Sequence, residues 1–206
     1  VPHNKRVGVF GGSFDPIHVG HLIIAEILMF RLELERVLFL PAGRPPHKPE
    51  QELAADHHRM AMLELAIGGY EPFEICTIDL DRPGSSYTAT TLEILKDTLD
   101  PETDIVFLMG QDSLRDFPTW YQPEKIASLA RLGVALRPNV TVSVSDIEAK
   151  VPETTGRIHL IDVPLIELSS REIRRQIGAG EPFHFQLPAG VANYITRHGL
   201  YLHSSQ

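Results

Sequence analysis

The 206-residue sequence has one cysteine, one tryptophan and no apolar run long enough to span a bilayer. A single thiol, Cys76, excludes an internal disulfide and suits a reducing compartment, where it is expected as a small buried residue. Positive charge is scarce: 19 Lys and Arg stand against 27 Asp and Glu, a net charge of −8. That balance argues against a nucleic-acid or membrane surface. An anionic ligand then has to be held by a few local cations or N–H donors. The opening VPHNKRVGVF has no signal-peptide core, so a cytoplasmic setting is expected. Two phosphate-binding fingerprints are also missing: neither the G-x-G-x-x-G of dinucleotide folds nor the G-x-x-x-x-G-K-[ST] of P-loops occurs.

What is there is an alternation. At 43% hydrophobic, the chain can bury a sizeable core, and its length suits a single domain over residues 1–206. Strands are expected at Arg6–Phe10, Arg36–Leu40, Glu74–Leu80, Asp104–Met109, Leu132–Leu136 and Arg157–Val163. Helices are expected at Val19–Leu34, Ala55–Ile67, Ala89–Leu99, Pro123–Leu129, Ser143–Lys150, Ser170–Ala179 and Ala189–His198. The runs VGVF, VLFL and IVFLM are continuously apolar, as in strands covered on both faces. The fold class is therefore α/β: a Rossmann-like open, mostly parallel sheet, helices on both faces, and a small C-terminal helical portion. Ligands of such sheets sit at the carboxyl ends of the strands, where GGSFDPIHVGH, PAGRPPHK, GQDS, RPN and PLIELSSREIR follow the expected strands.

The first of these segments is the most informative. Gly11 and Gly12 permit a sharp turn and close approach of backbone to a ligand, and Ser13 and Phe14 can then offer N–H groups. Asp15 and Pro16 resemble a cap and a first helical residue. His18 and His21, three apart, share a face of the first helical turn, whose N–H groups and dipole favour an anion. A polyphosphate suits that arrangement. A protein-bound metal does not, because no further ligands stand at convincing spacing. The adjacent His57 and His58 match no motif and read as a solvated helix start.

GGSFDPIHVGH resembles the G-x-F-D-P-x-H-x-G-H signature of the nucleotidyltransferase superfamily related to class I aminoacyl-tRNA synthetases. LSSREIR (168–174) resembles that superfamily's second signature, with Ser169, Ser170, Ile173 and Arg174 matching and Arg171 standing where a threonine is usual. RPPHK (44–48), SSYTATTL (85–92), GQDSLRDFPTWYQPEKI (110–126), LRP (136–138) and VANYITRHGLY (191–201) are similar to segments of bacterial nicotinate mononucleotide adenylyltransferases, in the same order. The resemblance implies adenylyl transfer from ATP to nicotinate mononucleotide, with Mg²⁺ accompanying the ATP and no protein nucleophile.

It also implies roles. His18, His21 and Arg174 would act on the phosphates. Gly11, Gly12, Ser13, Phe14, Gly110, Asp112, Arg137, Ser169, Ser170 and Arg171 would bind ATP. His47, Lys48, Ser86, Tyr87, Thr88, Trp120 and Tyr121 would bind the mononucleotide. The residues alone leave blander readings open: a helix-capping hydroxyl among Ser86, Tyr87 and Thr88, core packing for Trp120 and Tyr121, and solvated loop positions for Asp112, His47 and Lys48. Two alternatives remain, a phosphopantetheine adenylyltransferase of the same superfamily and a non-catalytic nucleotide-sensing module. The choice between acid and amide mononucleotides stays open, as does whether the chain forms a homo-oligomer.

Overall fold

The computed structural model describes residues 5–43, 53–136 and 142–202, so the expected ligand contacts His47, Lys48 and Arg137 lie outside the described residues. Six strands form one sheet: β1 (Arg6–Gly12), β2 (Arg36–Pro41), β3 (Phe73–Ile75), β4 (Asp104–Gly110), β5 (Arg131–Leu136) and β6 (Ile158–Asp162). Their order is β3-β2-β1-β4-β5-β6, and every neighbouring pair is parallel. Parallel neighbours require crossovers, and the helices supply them. They are α1 (Val19–Arg31), α2 (Asp56–Ile67), α3 (Ile78–Asp81), α4 (Thr88–Thr98), α5 (Gln111–Asp116), α6 (Pro123–Leu129) and α7 (Val144–Lys150); α8 (Ser170–Gly178) and α9 (Ala189–His198) follow β6.

The apolar strands feed two cores because side chains alternate across a sheet. Val37 and Phe39 of β2, with Val106 and Leu108 of β4, face the core that contains Leu28 of α1, Met62 and Leu63 of α2, Ile173 of α8 and Ile195 of α9. Leu38 and Leu40, with Ile105, Phe107 and Met109, face the opposite core with Leu92 of α4, Leu114 of α5, Ile126 of α6 and Ile147 of α7. Each fully buried side chain of this size stabilises the fold by about 1.5–3 kcal/mol. The order reverses between β1 and β4, whose carboxyl ends, Gly12 and Gly110, open a crevice there.

Most expected elements occur, with four differences. The alternating EICTIDL does not form one strand over 74–80. The ladder ends as Cys76 N–H donates to Phe39 O, and Leu80 and Asp81 N–H then turn back to Thr77 O, starting α3. A short helix, α5, follows β4 directly where GQDS reads as a loop. Cys76 is only half-buried. His58 is not a plain solvated residue: its Nδ1 lies 2.9 Å from Tyr194 Oη on α9.

Candidate active site

The turn after β1 is built from its own strain and packing. A Cβ on Gly12 would sit 2.9 Å from the Phe14 ring, so only glycine lets that ring fold back under the turn. Phe14 adopts φ = 47°, a left-handed conformation that costs a non-glycine residue roughly 1–2 kcal/mol. Its fully buried ring is held by Phe10, Phe39 and His21 at centroid distances of 5.8, 5.6 and 5.2 Å. With that side chain in the core, the main chain of Ser13 and Phe14 is what faces the cleft. Neither of their N–H groups donates to another group among the described residues.

α1 begins at Val19 with His18 as its N-cap, so Asp15 and Pro16 do not cap it. His18 N–H donates to His21 Nδ1 at 3.3 Å. An accepting Nδ1 leaves the proton of neutral His21 on Nε2, which makes that nitrogen a donor. The two rings stack at 3.7 Å. Burial pushes the His18 pKa down to about 4. Burial first, and the neighbouring His18 second, hold His21 well below the ordinary histidine range. The pair therefore offers neutral N–H donors at neutral pH. His21 lines the cleft, whereas His18 stacks behind it with a buried Nδ1 that has no hydrogen-bond partner.

The other wall of this cleft is the start of α8, contributed by Ser169, Ser170, Arg171 and Arg174. Ser169 Oγ caps the helix by accepting from Glu172 N–H at 3.2 Å. Ser170 Oγ donates to Pro16 O at 2.9 Å, tying the helix to the turn. Arg174 Nη1 donates to Asp15 O at 2.6 Å and lies 3.8 Å from Asp15 Oδ2. One guanidinium nitrogen is thus committed to the turn while the side chain still borders the cleft. Arg171 is exposed and makes no hydrogen bond or ion pair among the described residues. Two segments more than 150 positions apart meet here, and among the described residues no acidic side chain lines the cleft.

A second pocket shares Gly12 with the first and is lined by Leu40 of β2, Phe107 of β4 and Ile126 of α6, all from the second core. Ser86, Tyr87, Thr88, Trp120 and Tyr121 all line it. Trp120 also packs edge-on to Phe107 at 5.9 Å, so core packing and pocket lining coexist. Tyr87 and Tyr121 approach to 4.4 Å. No side chain caps α4: Tyr87 is its N-cap residue, and Ser86 Oγ instead accepts from Gly43 N–H at 3.1 Å. Among the described residues no N-cap side chain caps α4, so its first N–H groups can meet a ligand. Asp79 also lines this pocket; its Oδ1 accepts from Thr91 Oγ1 at 2.5 Å and lies 3.1 Å from Arg82 Nη2. Burial raises the Asp79 pKa, with Thr91 and Arg82 opposing. Gly43 fits against this unit because any Cβ there would collide with Asp79 O.

Two expected ATP contacts sit elsewhere. Gly110 ends β4 with open space beside it. Asp112 lies on α5, pairs with Arg115 at 3.4 Å and lines a recess shared with α7 rather than either cleft above. Two buried charged residues take roles that the sequence reading does not give them. Asp15 is fully buried; its Oδ1 accepts from Tyr201 Oη at 2.5 Å and its Oδ2 from Ala54 N–H at 3.3 Å. Arg59 is fully buried too, donating from Nη1 to Ser13 O at 3.0 Å and from Nη2 to Asp56 Oδ1 at 2.5 Å. The signal for Arg59 was available: it shares a helical stripe with buried Met62, Leu63 and Ile67.

The sequence and fold match those of known proteins. A cytidylyltransferase-like family model matches residues 9–176. A probable nicotinate-nucleotide adenylyltransferase of Thermomicrobium roseum is 50% identical over 197 residues, covering 96% of this chain and 92% of that one. The chain belongs to the nicotinate-nucleotide adenylyltransferase family. A further probable nicotinate-nucleotide adenylyltransferase, from Roseiflexus sp., is 40% identical over 95% of this chain and 97% of its own. The fold likewise matches Plasmodium falciparum nicotinic acid mononucleotide adenylyltransferase complexed with APC, at TM-score 0.76 and 21% identity over 96% of this chain and 97% of that one. The same enzyme complexed with NaAD gives TM-score 0.75 at 22% identity, with the same coverage. Among the described residues no helix is long and apolar enough to cross a membrane.

Proposed function

We propose that the chain transfers an adenylyl group from MgATP to nicotinate mononucleotide, in a cytoplasmic setting. The 5′-phosphate oxygen of the mononucleotide attacks the α-phosphorus of ATP. The bond to the bridging oxygen breaks, pyrophosphate leaves with the electron pair, and nicotinate adenine dinucleotide forms. The attacking oxygen is already ionised at neutral pH, so no protein nucleophile or strong base is needed. The chain's task is alignment and charge stabilisation. The observation that carries this reading is the meeting of two clefts at Gly12, one lined by N–H donors and arginines, the other by aromatic rings.

In this reading the triphosphate lies between the Gly11–Phe14 turn and the α8 N-terminus. The free N–H groups of Ser13 and Phe14, the Nε2–H of His21, and Arg171 and Arg174 would meet its charge. His18 would act by holding the His21 ring. The cleft's donor set fits magnesium carried in by the nucleotide. With no acid lining it among the described residues, and the Asp15 carboxylate occupied by Tyr201 and Ala54, phosphate oxygens and water would hold the ion. The pyridine ring would stack among Trp120, Tyr121 and Tyr87, with its carboxylate at the uncapped start of α4. Those N–H groups favour an anion, so the acid mononucleotide should be preferred over the amide by about 10- to 10²-fold, the range of a hydrogen bond to a charged group.

The test is a side-by-side kcat/KM for nicotinate mononucleotide, nicotinamide mononucleotide and phosphopantetheine with MgATP. The first should lead. Faster turnover of phosphopantetheine, or no pyrophosphate release with any acceptor, overturns the assignment.

A further inference from the structure

Arg59 and Tyr201 line neither cleft, yet both end on the phosphate-binding turn. Arg59 reaches it from α2. It is fully buried on a helix face otherwise given to Met62, Leu63 and Ile67, where an apolar residue would avoid the desolvation of a guanidinium. Its one main-chain contact outside its own helix is Ser13 O, at 3.0 Å. In a planar trans peptide the carbonyl and the following N–H point in opposite directions. Pinning Ser13 O to Arg59 therefore aims Phe14 N–H away from α2, toward the cleft that Ser13 and Phe14 line. The left-handed Phe14 gives this peptide a reason to relax if the tie is lost.

Tyr201 reaches the turn from beyond α9. Its hydroxyl donates to Asp15 Oδ1, and burial, then the Asp15 charge, drive its pKa far upward, so it remains a donor. Asp15 in turn presents its main-chain oxygen to Arg174, at 2.6 Å. Fixing the Asp15 side chain thus fixes the seat of a guanidinium that borders the cleft.

We propose that Arg59 and Tyr201 are positioning residues for adenylyl transfer: Arg59 sets the direction of the Phe14 N–H, and Tyr201 sets the place of Arg174 through Asp15. This rests on the functional reading above. Neither residue touches substrate, and each acts on the turn from the side opposite the nucleotide.

The experiment is steady-state kinetics of the full chain as wild type, Arg59→Met and Tyr201→Phe, at a temperature where each is folded by circular dichroism. Arg59→Met should lower kcat by about 10- to 10²-fold, the scale of a small misplacement of a positioning group. Tyr201→Phe should lower it by about 5- to 10-fold, less than a charged contact because Asp15 Oδ2 keeps its bond from Ala54 N–H. In both, KM for the mononucleotide should stay within about two-fold, because its ring pocket is untouched. A purely structural role would lower the melting temperature and leave kcat per folded molecule at the wild-type value; that result overturns the proposal. If Arg59→Met does not fold, Tyr201→Phe, which deletes one oxygen, decides on the same readouts. Wild type run alongside separates the two readings. A wild type that releases no pyrophosphate removes the function, whereas an active wild type matched by its variants removes only this inference.

Discussion

The two clefts that meet at Gly12 are made in opposite ways. The α8 side is a wall of main-chain N–H groups, imidazole and arginine, and three separate elements hold it from behind. Arg59 of α2 grips Ser13, Tyr201 grips Asp15, and Ser170 and Arg174 of α8 grip Pro16 and Asp15. The α4 side is mostly aromatic, and its polarity comes from one helix end supported by the Asp79–Arg82–Thr91 unit. Phosphoryl chemistry fixes donors to tenths of an ångström, so the first wall is over-determined, including a left-handed Phe14 that only dense packing keeps in place. A flat ring tolerates small displacements, so Tyr121 is left half exposed at 48% with one ring neighbour, Tyr87. Rate is thus expected to belong to one wall and acceptor affinity to the other.

The strongest way to break that division is a matched pair of deletions. His21→Ala removes a donor aimed at developing charge and should lower kcat by about 10²–10³-fold, equivalent to about 2.7–4 kcal/mol, with mononucleotide KM little changed. Tyr121→Ala removes an exposed stacking face and should raise mononucleotide KM by about 10-fold, the scale of a single aromatic contact, with kcat preserved. Initial-rate kinetics over both substrates checks the pair. If His21→Ala changes only KM, or Tyr121→Ala changes only kcat, the two walls do not divide the work this way.

The same contrast explains what could be read from the sequence. The donor wall was largely legible because its parts are short contiguous motifs, GGSFDPIHVGH and SSREIR, at the ends of strands. Strand runs such as VLFL, bounded by turns, were legible for the same reason. What was hidden lies in contacts across the chain. Nothing local says that Arg59 ends on Ser13, 46 residues away, or Tyr201 on Asp15, 186 residues away. EICTIDL satisfied the strand period, but pairing with β2 ends at Cys76 and Asp79 is taken up by Thr91. Tyr87, Thr88 and Ser86 looked like a cap set, and only the fold shows Ser86 diverted to Gly43.

A second test uses acidity. The unfolded chain protonates His18 near pH 6.5, while the folded chain resists until about pH 4. Between those values the unfolded state binds more protons. The contribution of a neutral buried imidazole is therefore complete above pH 6.5 and lost as pH falls toward 4. At about 1.36 kcal/mol per pH unit the loss is about 3 kcal/mol, and His21, shifted in the same direction, adds to it. His58 and His159 are also shifted downward, so the part tied to the donor wall is the difference between wild type and a His18 variant. Urea unfolding at pH 7, 5.5 and 4.5 should show wild type losing more stability than His18→Gln over that range. Equal losses would mean that the imidazole is charged in the folded protein.

The smallest expected effect falls on Arg171, and it tests how far the donor wall's rigidity extends. Arg171 lines the cleft beside Ser170 but is exposed and unpaired, unlike Arg174, which is anchored to Asp15. A solvated guanidinium on a mobile stem gains little from a phosphate that water also serves, on the scale of up to about 1 kcal/mol for an exposed ion pair. Arg171→Thr should therefore raise KM for MgATP by about two- to five-fold, with kcat and melting temperature unchanged. The increase should shrink as salt is added, because an exposed pair is screened and an anchored one is not. A fall in kcat comparable to that of His21→Ala would place Arg171 among the aligned groups, and the rigid part of the wall would then have to include a side chain that none of the described residues holds.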